Sequence, residues 1–250
     1  MRKIDMAEGS FTRREMIKRA AASALVLPAL QGSFSLIDAA AGGANQKKED
    51  SMDQSGISAL LKTKKRTGTG GPLPGIPLVI GSYDIKGKAN CMTGTYTGTC
   101  CGSPPCFMIS LRKATYSYGN IMSCKAFTLN LPGRKYAVET DYFGIVSGRD
   151  TDKFKDTGLT AIKGEKVNAP IIYEFPVSIE CALLHTYELG SHTLFIGEMV
   201  NGFADTAFLD ADGRPVRGEL EALVYWANRY CTIGENVADA FSSGKYLQKK

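Results

Sequence analysis

Val177-Ser178-Ile179-Glu180-Cys181-Ala182-Leu183 sets Val, Ile, Cys and Leu at every second position. That spacing puts alternate side chains of an extended chain on one face, whereas a helix needs apolar residues three and four apart. The stretch therefore reads as the heart of a strand with one buried side. Outward from it, Tyr173 to Glu188 and Thr193 to Val200 form strand-like runs rich in β-branched and aromatic residues, as do Leu78 to Tyr83, Cys106 to Leu111 and Phe127 to Leu131. Helical patterns are fewer, at Thr115 to Ser123, Lys135 to Val146 and Asn236 to Phe241. Strands that are not regularly interleaved with helices predict a mainly β fold, an antiparallel barrel with peripheral helices, rather than a doubly wound parallel sheet.

The chain has 250 residues, 44% hydrophobic and 22% charged, as expected of one globular domain with additional sequence. A net charge of +5 is too mild to argue for a nucleic-acid partner. Lys62, Lys64, Lys65 and Arg66 cluster without interleaved aromatic residues and read as a solvated linker. Residues 42–72 are polar and then Gly-rich, with Gly68, Gly70 and Gly71 followed by Pro72, Pro74 and Pro77. No strand precedes these glycines and the prolines prevent a helix from opening after them, so they are linker and not a phosphate loop. The folded domain is expected over residues 73–250, without internal repeats.

Thr12-Arg13-Arg14-Glu15-Met16-Ile17-Lys18 resembles the twin-arginine export motif, with Met16 and Ile17 where that pattern prefers Phe and Leu. The apolar run Ala20 to Leu30 behind it is 11 residues long, well short of the ~20 a membrane-spanning helix needs, so no permanent membrane anchor is expected. Ala39, Ala40 and Ala41 offer the small side chains that a signal peptidase accepts. The resemblance implies a signal over residues 1–41 and an exported, periplasmic or otherwise extracytoplasmic mature chain.

Between Asn90 and Tyr118 three features suit a flavin phosphate and ring. In Asn90-Cys91-Met92-Thr93-Gly94-Thr95-Tyr96-Thr97-Gly98, small residues admit a flat ligand while hydroxyls and amides supply hydrogen bonds. The apolar strand ending at Leu111 delivers Arg112, whose guanidinium can hold phosphate oxygens two at a time. Thr115 stands where it can cap the following helix, whose free amides and dipole favour the same anion.

The order Asn-x-Met-Thr at Asn90 to Thr93, Pro104-Pro105, Ile109-Ser110-Leu111-Arg112 and Tyr116-Ser117-Tyr118 resembles the flavin reductase and flavoredoxin family. The resemblance continues through Ala126 to Asn130, Gly190 to Glu198 and Gly234 to Gly244, over nearly the whole domain. It implies an FMN-binding split β-barrel of antiparallel Greek-key type, a homodimer, and FMN as cofactor. Carried over by position, Asn90, Met92, Thr93, Thr95, Tyr96, Thr97 and Gly98 would contact the ring and ribityl chain, with Ser110 and Tyr118 nearby, while Arg112 and Thr115 would hold the phosphate. His192 falls in the family's Gly-Asp-His-Thr segment, facing the nicotinamide site as the candidate catalytic residue, although Ser191 replaces the acid. Two functions follow from the resemblance: a flavin reductase that takes hydride from NAD(P)H for an acceptor, or an exported flavoredoxin-like carrier that exchanges electrons with a redox protein. His185 has no such context and reads as structural.

Seven cysteines include Cys100, Cys101 and Cys106 close together, but no CxxC and no matching histidine pair, so no metal site is expected. An odd count leaves at least one thiol free, and Cys100 or Cys101 with Cys106 are the pairs to test first. Asp210-Ala211-Asp212-Gly213 reads as a turn and not a calcium loop, because Phe208 would occupy the first ligand position. No nucleophile-elbow motif points to a hydrolase.

Overall fold

A computed structural model describes residues 58, 61–65, 67, 73–214 and 220–248. The chain divides into two units, Met1–Thr69 and Gly70–Lys250, and the second is the subject here. The export-signal reading of residues 1–41 lies outside the described residues.

In chain order the unit forms strands β1 (Leu78–Tyr83), β2 (Ala89–Gly94), β3 (Thr97–Gly102) and β4 (Pro105–Leu111), helix α1 (Tyr116–Cys124), strand β5 (Ala126–Leu131), and helices α2 (Ala137–Ile145) and α3 (Lys153–Thr157). Strands β6 (Ala161–Lys163), β7 (Pro170–Ile172), β8 (Val177–Leu189), β9 (His192–Ala204), β10 (Leu223–Trp226) and β11 (Arg229–Thr232) follow. Seven strands make one antiparallel sheet in the order β2-β1-β5-β8-β9-β4-β3. This is the mainly β fold with peripheral helices that the strand patterns predict. Consecutive strands β2 and β3 occupy opposite edges, so the sheet curls around and is split between them instead of being hydrogen-bonded closed.

Alternation along the strands builds two cores. Leu78 and Ile80 of β1 join Ile109, Phe127, Leu129, Cys181 and Phe195 inside the curl, while Val79 between them faces out to pack with Cys91, Phe143, Phe154, Ile172 and Phe175. The outer face of β5 is polar yet fully buried. Asn130 Nδ2 donates to Val79 O (2.9 Å) and Thr128 Oγ1 (3.0 Å), and its Oδ1 accepts from Ile172 N (3.0 Å) and Ser178 Oγ (2.8 Å). One amide therefore ties together β1, β5, β7 and the start of β8. Gly81 is required beside it, because a Cβ there would lie 2.3 Å from both Pro170 O and Thr128 Oγ1.

Some elements depart from expectation. The run from Tyr173 becomes strand only at Val177, because Pro176 has no N–H for a ladder. The pattern at Lys135 to Val146 divides into a 3-10 turn, Arg134–Tyr136, and then α2. Asn236 to Phe241 forms no helix: Val237 and Phe241 are 92% and 99% exposed, so no apolar face is buried to stabilise a short helix. Strands β6, β7, β10 and β11 are too short to reveal a period.

Glu180 of β8 is wholly buried. Its carboxylate accepts from Lys166 N (3.0 Å), Val167 N (3.3 Å) and Asn201 Nδ2 (2.6 Å), pinning the segment before β7 to the sheet. Glu180→Ala should leave these part-buried donors without their acceptor and cost about 2 kcal/mol in urea unfolding; a loss below about 1 kcal/mol would show that the carboxylate is not the anchor.

Candidate functional site

Strand β4 ends at Leu111, and the next residues form a tight turn in which Thr115 N and Thr115 Oγ1 both donate to Arg112 O, at 3.0 and 2.9 Å. Thr115 holds the N-cap position of α1, as expected, but its hydroxyl is directed back to Arg112 and does not cap. The first-turn amides of α1 keep no side-chain partner, and no acid lies in that turn. Arg112 and the open helix end thus stand together.

Asn90 of β2 underlies them. Its Nδ2 donates to Ser117 Oγ (2.9 Å) and Ser82 Oγ (3.4 Å), joining β2, α1 and β1, while its buried Oδ1 has no protein partner. The chain leaving α2 folds over this point. Gly148 fits only because it has no side chain: a Cβ would lie 1.9 Å from Asn90 Oδ1 and 3.1 Å from Tyr116 Cδ1. Arg149 then reaches back, donating from Nη1 to Ala114 O (2.8 Å) and from Nη2 to Thr115 O (3.5 Å), with its guanidinium 5.3 Å from the Tyr116 ring centre.

Tyr116 is itself anchored, its hydroxyl donating to Asp84 Oδ2 at 2.8 Å, while Asp84 Oδ1 accepts from Lys86 N and Lys88 N, each at 2.8 Å. The hydrogen bond from Tyr116 holds the Asp84 carboxyl below the usual carboxylate range, and the same bond raises the Tyr116 phenol. Lys153 is 4% exposed and donates to Cys91 O (2.7 Å) and Phe143 O (2.9 Å); burial lowers its pKa.

These elements enclose a cavity of about 360 Å³ lined by Asn90, Met92, Arg112, Thr115, Arg149 and Lys153 among others. Three cations line it, and no carboxylate does. An anion of high charge, such as a phosphate monoester, is what such a site recognises. A larger cleft of about 700 Å³ beside Tyr136 and Phe175 mixes Lys135 and Lys163 with Glu165, Glu174 and Asp205, so it lacks that one-signed character.

The structure therefore brings Asn90, Met92, Arg112 and Thr115 to one cavity. The other residues expected to contact a flavin are distributed differently. Thr93 Oγ1 donates to Thr140 O at 2.5 Å, binding β2 to α2. Thr97 and Gly98 line a separate, largely apolar cavity of about 430 Å³ with Leu78, Phe107 and Ile179. Thr95 and Tyr96 form the connection between β2 and β3, and the Tyr96 ring lies 5.3 Å from that of His192. His192 Nδ1 is 2.8 Å from Ser191 Oγ. Ser110 stands opposite Leu194 on β9, and Tyr118 packs edge-on against Phe195 at 5.3 Å. Gly148, Arg149 and Lys153 are absent from the sequence-based site, because only chain closure after α2 brings residues 144–153 to β2 and β4, and Ser117 is absent although it lies within the Tyr116-Ser117-Tyr118 cluster.

The flavin reductase like domain model matches residues 71–234. The chain is 39% identical to flavoredoxin of Desulfovibrio vulgaris (Miyazaki F), with a TM-score of 0.70, over 73% of this chain and 100% of that one. Against flavoredoxin from Methanosarcina acetivorans the values are 27% and 0.68, over 74% and 98%. It is also 25% identical to a Rhodococcus opacus protein, the reductase component of 4-nitrophenol 4-monooxygenase/4-nitrocatechol 2-monooxygenase, over 63% of this chain and 80% of that one.

The Asp84 carboxyl is lowered in the fold, so its stabilisation is present above the unfolded carboxylate value of ~3.9 and is lost as pH falls through the folded value. Tyr116→Phe removes the largest cause of that shift. It should cost about 1 kcal/mol in urea unfolding at pH 7, and the difference from wild type should shrink toward zero as the pH falls below the folded value. An undiminished difference in acid would mean that the pair is not the source.

Proposed function

The chain belongs to the flavin reductase like domain family, and from that premise we propose that it is an FMN-binding oxidoreductase whose cofactor phosphate is held by Arg112, Arg149 and the open end of α1. The observation that carries this reading is a cavity lined by three cations and no carboxylate, beside the unpartnered Asn90 Oδ1. The residues present fit the group. Arg112 and Arg149 offer guanidinium donors to a dianionic phosphate, and Lys153 adds positive charge from beneath. A ring N–H or ribityl hydroxyl can supply the donor that Asn90 Oδ1 lacks. Thr115 leaves the first-turn amides of α1 available by turning its own hydroxyl away.

When bound, the flavin supplies two-electron redox chemistry, taking electrons from a reduced donor and releasing them to an acceptor. In the first reading the donor is NADH or NADPH, and His192, its Nδ1 engaged by Ser191 Oγ, is the residue that orients the nicotinamide. In the second the donor is a redox protein and no pyridine nucleotide binds. The 39% identity to a flavoredoxin over that protein's entire length favours the second reading, and the monooxygenase reductase component supports the first. Export by the twin-arginine route, on the strength of Thr12 to Lys18, and assembly as a homodimer belong to the same proposal.

Anaerobic addition of NADH and NADPH in turn to the FMN-loaded chain separates the readings. Bleaching of the visible flavin band at catalytic rates supports the reductase; bleaching by dithionite but by neither nucleotide eliminates it. Arg112→Ala should weaken FMN binding about 10- to 100-fold by fluorescence titration, with an unchanged circular dichroism spectrum. Equal affinity in the variant would remove Arg112 from the phosphate site.

A further inference from the structure

We propose that Cys101 and Cys106 form a thiol–disulfide exchange site that takes a small, exposed disulfide as its oxidant. Cys101 and Cys106 stand directly opposite each other on β3 and β4, two antiparallel strands joined by a short turn. Directly opposed residues of such a ladder have Cα atoms ~4.5 to 5.5 Å apart, inside the ~4.4 to 6.8 Å range that a disulfide spans. The side chains already converge. Cys101 Sγ donates to Ser103 O at 3.5 Å and Cys106 Sγ to Pro104 O at 3.4 Å, so both thiols are directed at the same turn. The register slips between Thr99 and Cys101, which leaves Cys100 as the additional residue of a bulge and puts Cys101, not Cys100, across from Cys106.

Exposure divides the work between the two thiols. Cys101 is exposed and meets the incoming reagent; Cys106 is 4% exposed and is reached only through its neighbour. Burial, followed by the adjacent Cys101 and Cys100, raises the Cys106 thiol above its ordinary value. The Cys101 thiolate attacks one sulfur of the small disulfide, forming the mixed disulfide and expelling one thiolate. Cys106 gives its proton to solvent and attacks the Cys101 sulfur, closing the internal bond and expelling the second thiolate. The protein pair loses two electrons and two protons, and the small disulfide becomes two thiols. Cys181, whose thiol is pushed up by burial and then by Cys106, is fully buried on β8, with β9 between it and β4.

The test equilibrates the full chain, without oxygen, against mixtures of oxidised and reduced glutathione, then alkylates free thiols, digests with trypsin and sequences the product by tandem mass spectrometry. Residues 89–112 form one tryptic peptide holding Cys91, Cys100, Cys101 and Cys106. The expected product is that peptide two hydrogens lighter, alkylated at Cys91 and Cys100, reverting as reduced glutathione is raised, and still formed by Cys100→Ala. Cys101→Ala should abolish it, and Cys106→Ser should instead accumulate a glutathione adduct on Cys101. No lighter peptide at any ratio would overturn the proposal. So would its persistence in Cys101→Ala, or a bond to Cys181. Cys101 is exposed, so its variant leaves the core intact even if Cys106→Ser fails to fold.

Discussion

The structure depends on one constraint of reach. Strands β2 and β3 are separated by only Thr95 and Tyr96, yet they form opposite edges of a seven-stranded sheet. Laid flat at a spacing of ~4.8 Å, seven strands would hold those edges ~29 Å apart, while the connection reaches at most ~11 Å. The sheet must curl until its edges meet. The connection also extends the β3–β4 ladder one residue beyond β3, where Ser110 N of β4 donates to Tyr96 O at 2.9 Å. A curled sheet has an inside and an outside, and both must be covered. That is why Val79 needs an apolar core of its own beneath α2 and α3, and why Thr128 and Asn130 are buried although the strand pattern would turn them to water.

The same constraint makes the anion site. Curling brings the end of β4, with Arg112 and the start of α1, alongside β2 at Asn90, and the two are joined there through Ser117. The segment leaving α2 closes over the junction because Gly148 offers no side chain to collide with Asn90. Its Arg149 then clamps the turn that carries Arg112. Exposed Arg112 and Arg149 and buried Lys153 concentrate positive charge without a compensating carboxylate in the lining, which attracts an anion. Asn90 adds an acceptor buried without a donor in the same place. On the proposed reading, one ligand that carries a phosphate and a hydrogen-bond donor answers both features.

How far this could be read from sequence follows from the range over which each signal acts. The period-two spacing of Val177 to Leu183 is local, and Cys181 lies in the inner core with Ile179 and Leu183 packed against it. Arg112 and Thr115 were legible for the same reason, being fixed by the end of one strand and the start of one helix. Glu180 and Asn130 were not: a polar residue between apolar ones reads as solvent-facing, and only contacts from β7, β9 and the segment before β7 make those positions interior. Arg149 and Lys153 join the site through folding of distant segments, which no spacing encodes. Thr97 and Gly98 illustrate the converse. They are a few residues from Asn90 in sequence, but the chain crosses the split between them, so they line the apolar cavity instead.

A cavity between β2, α1 and the segment after α2 that holds a flavin phosphate must distinguish flavins with and without one. Isothermal titration of the full chain with FMN and with riboflavin measures the contribution of that phosphate directly, since the two ligands differ in nothing else. Two guanidiniums and an open helix end together imply about 3 kcal/mol, so FMN should bind about 100-fold more tightly than riboflavin. Equal affinities, or no binding of FMN, would contradict the account.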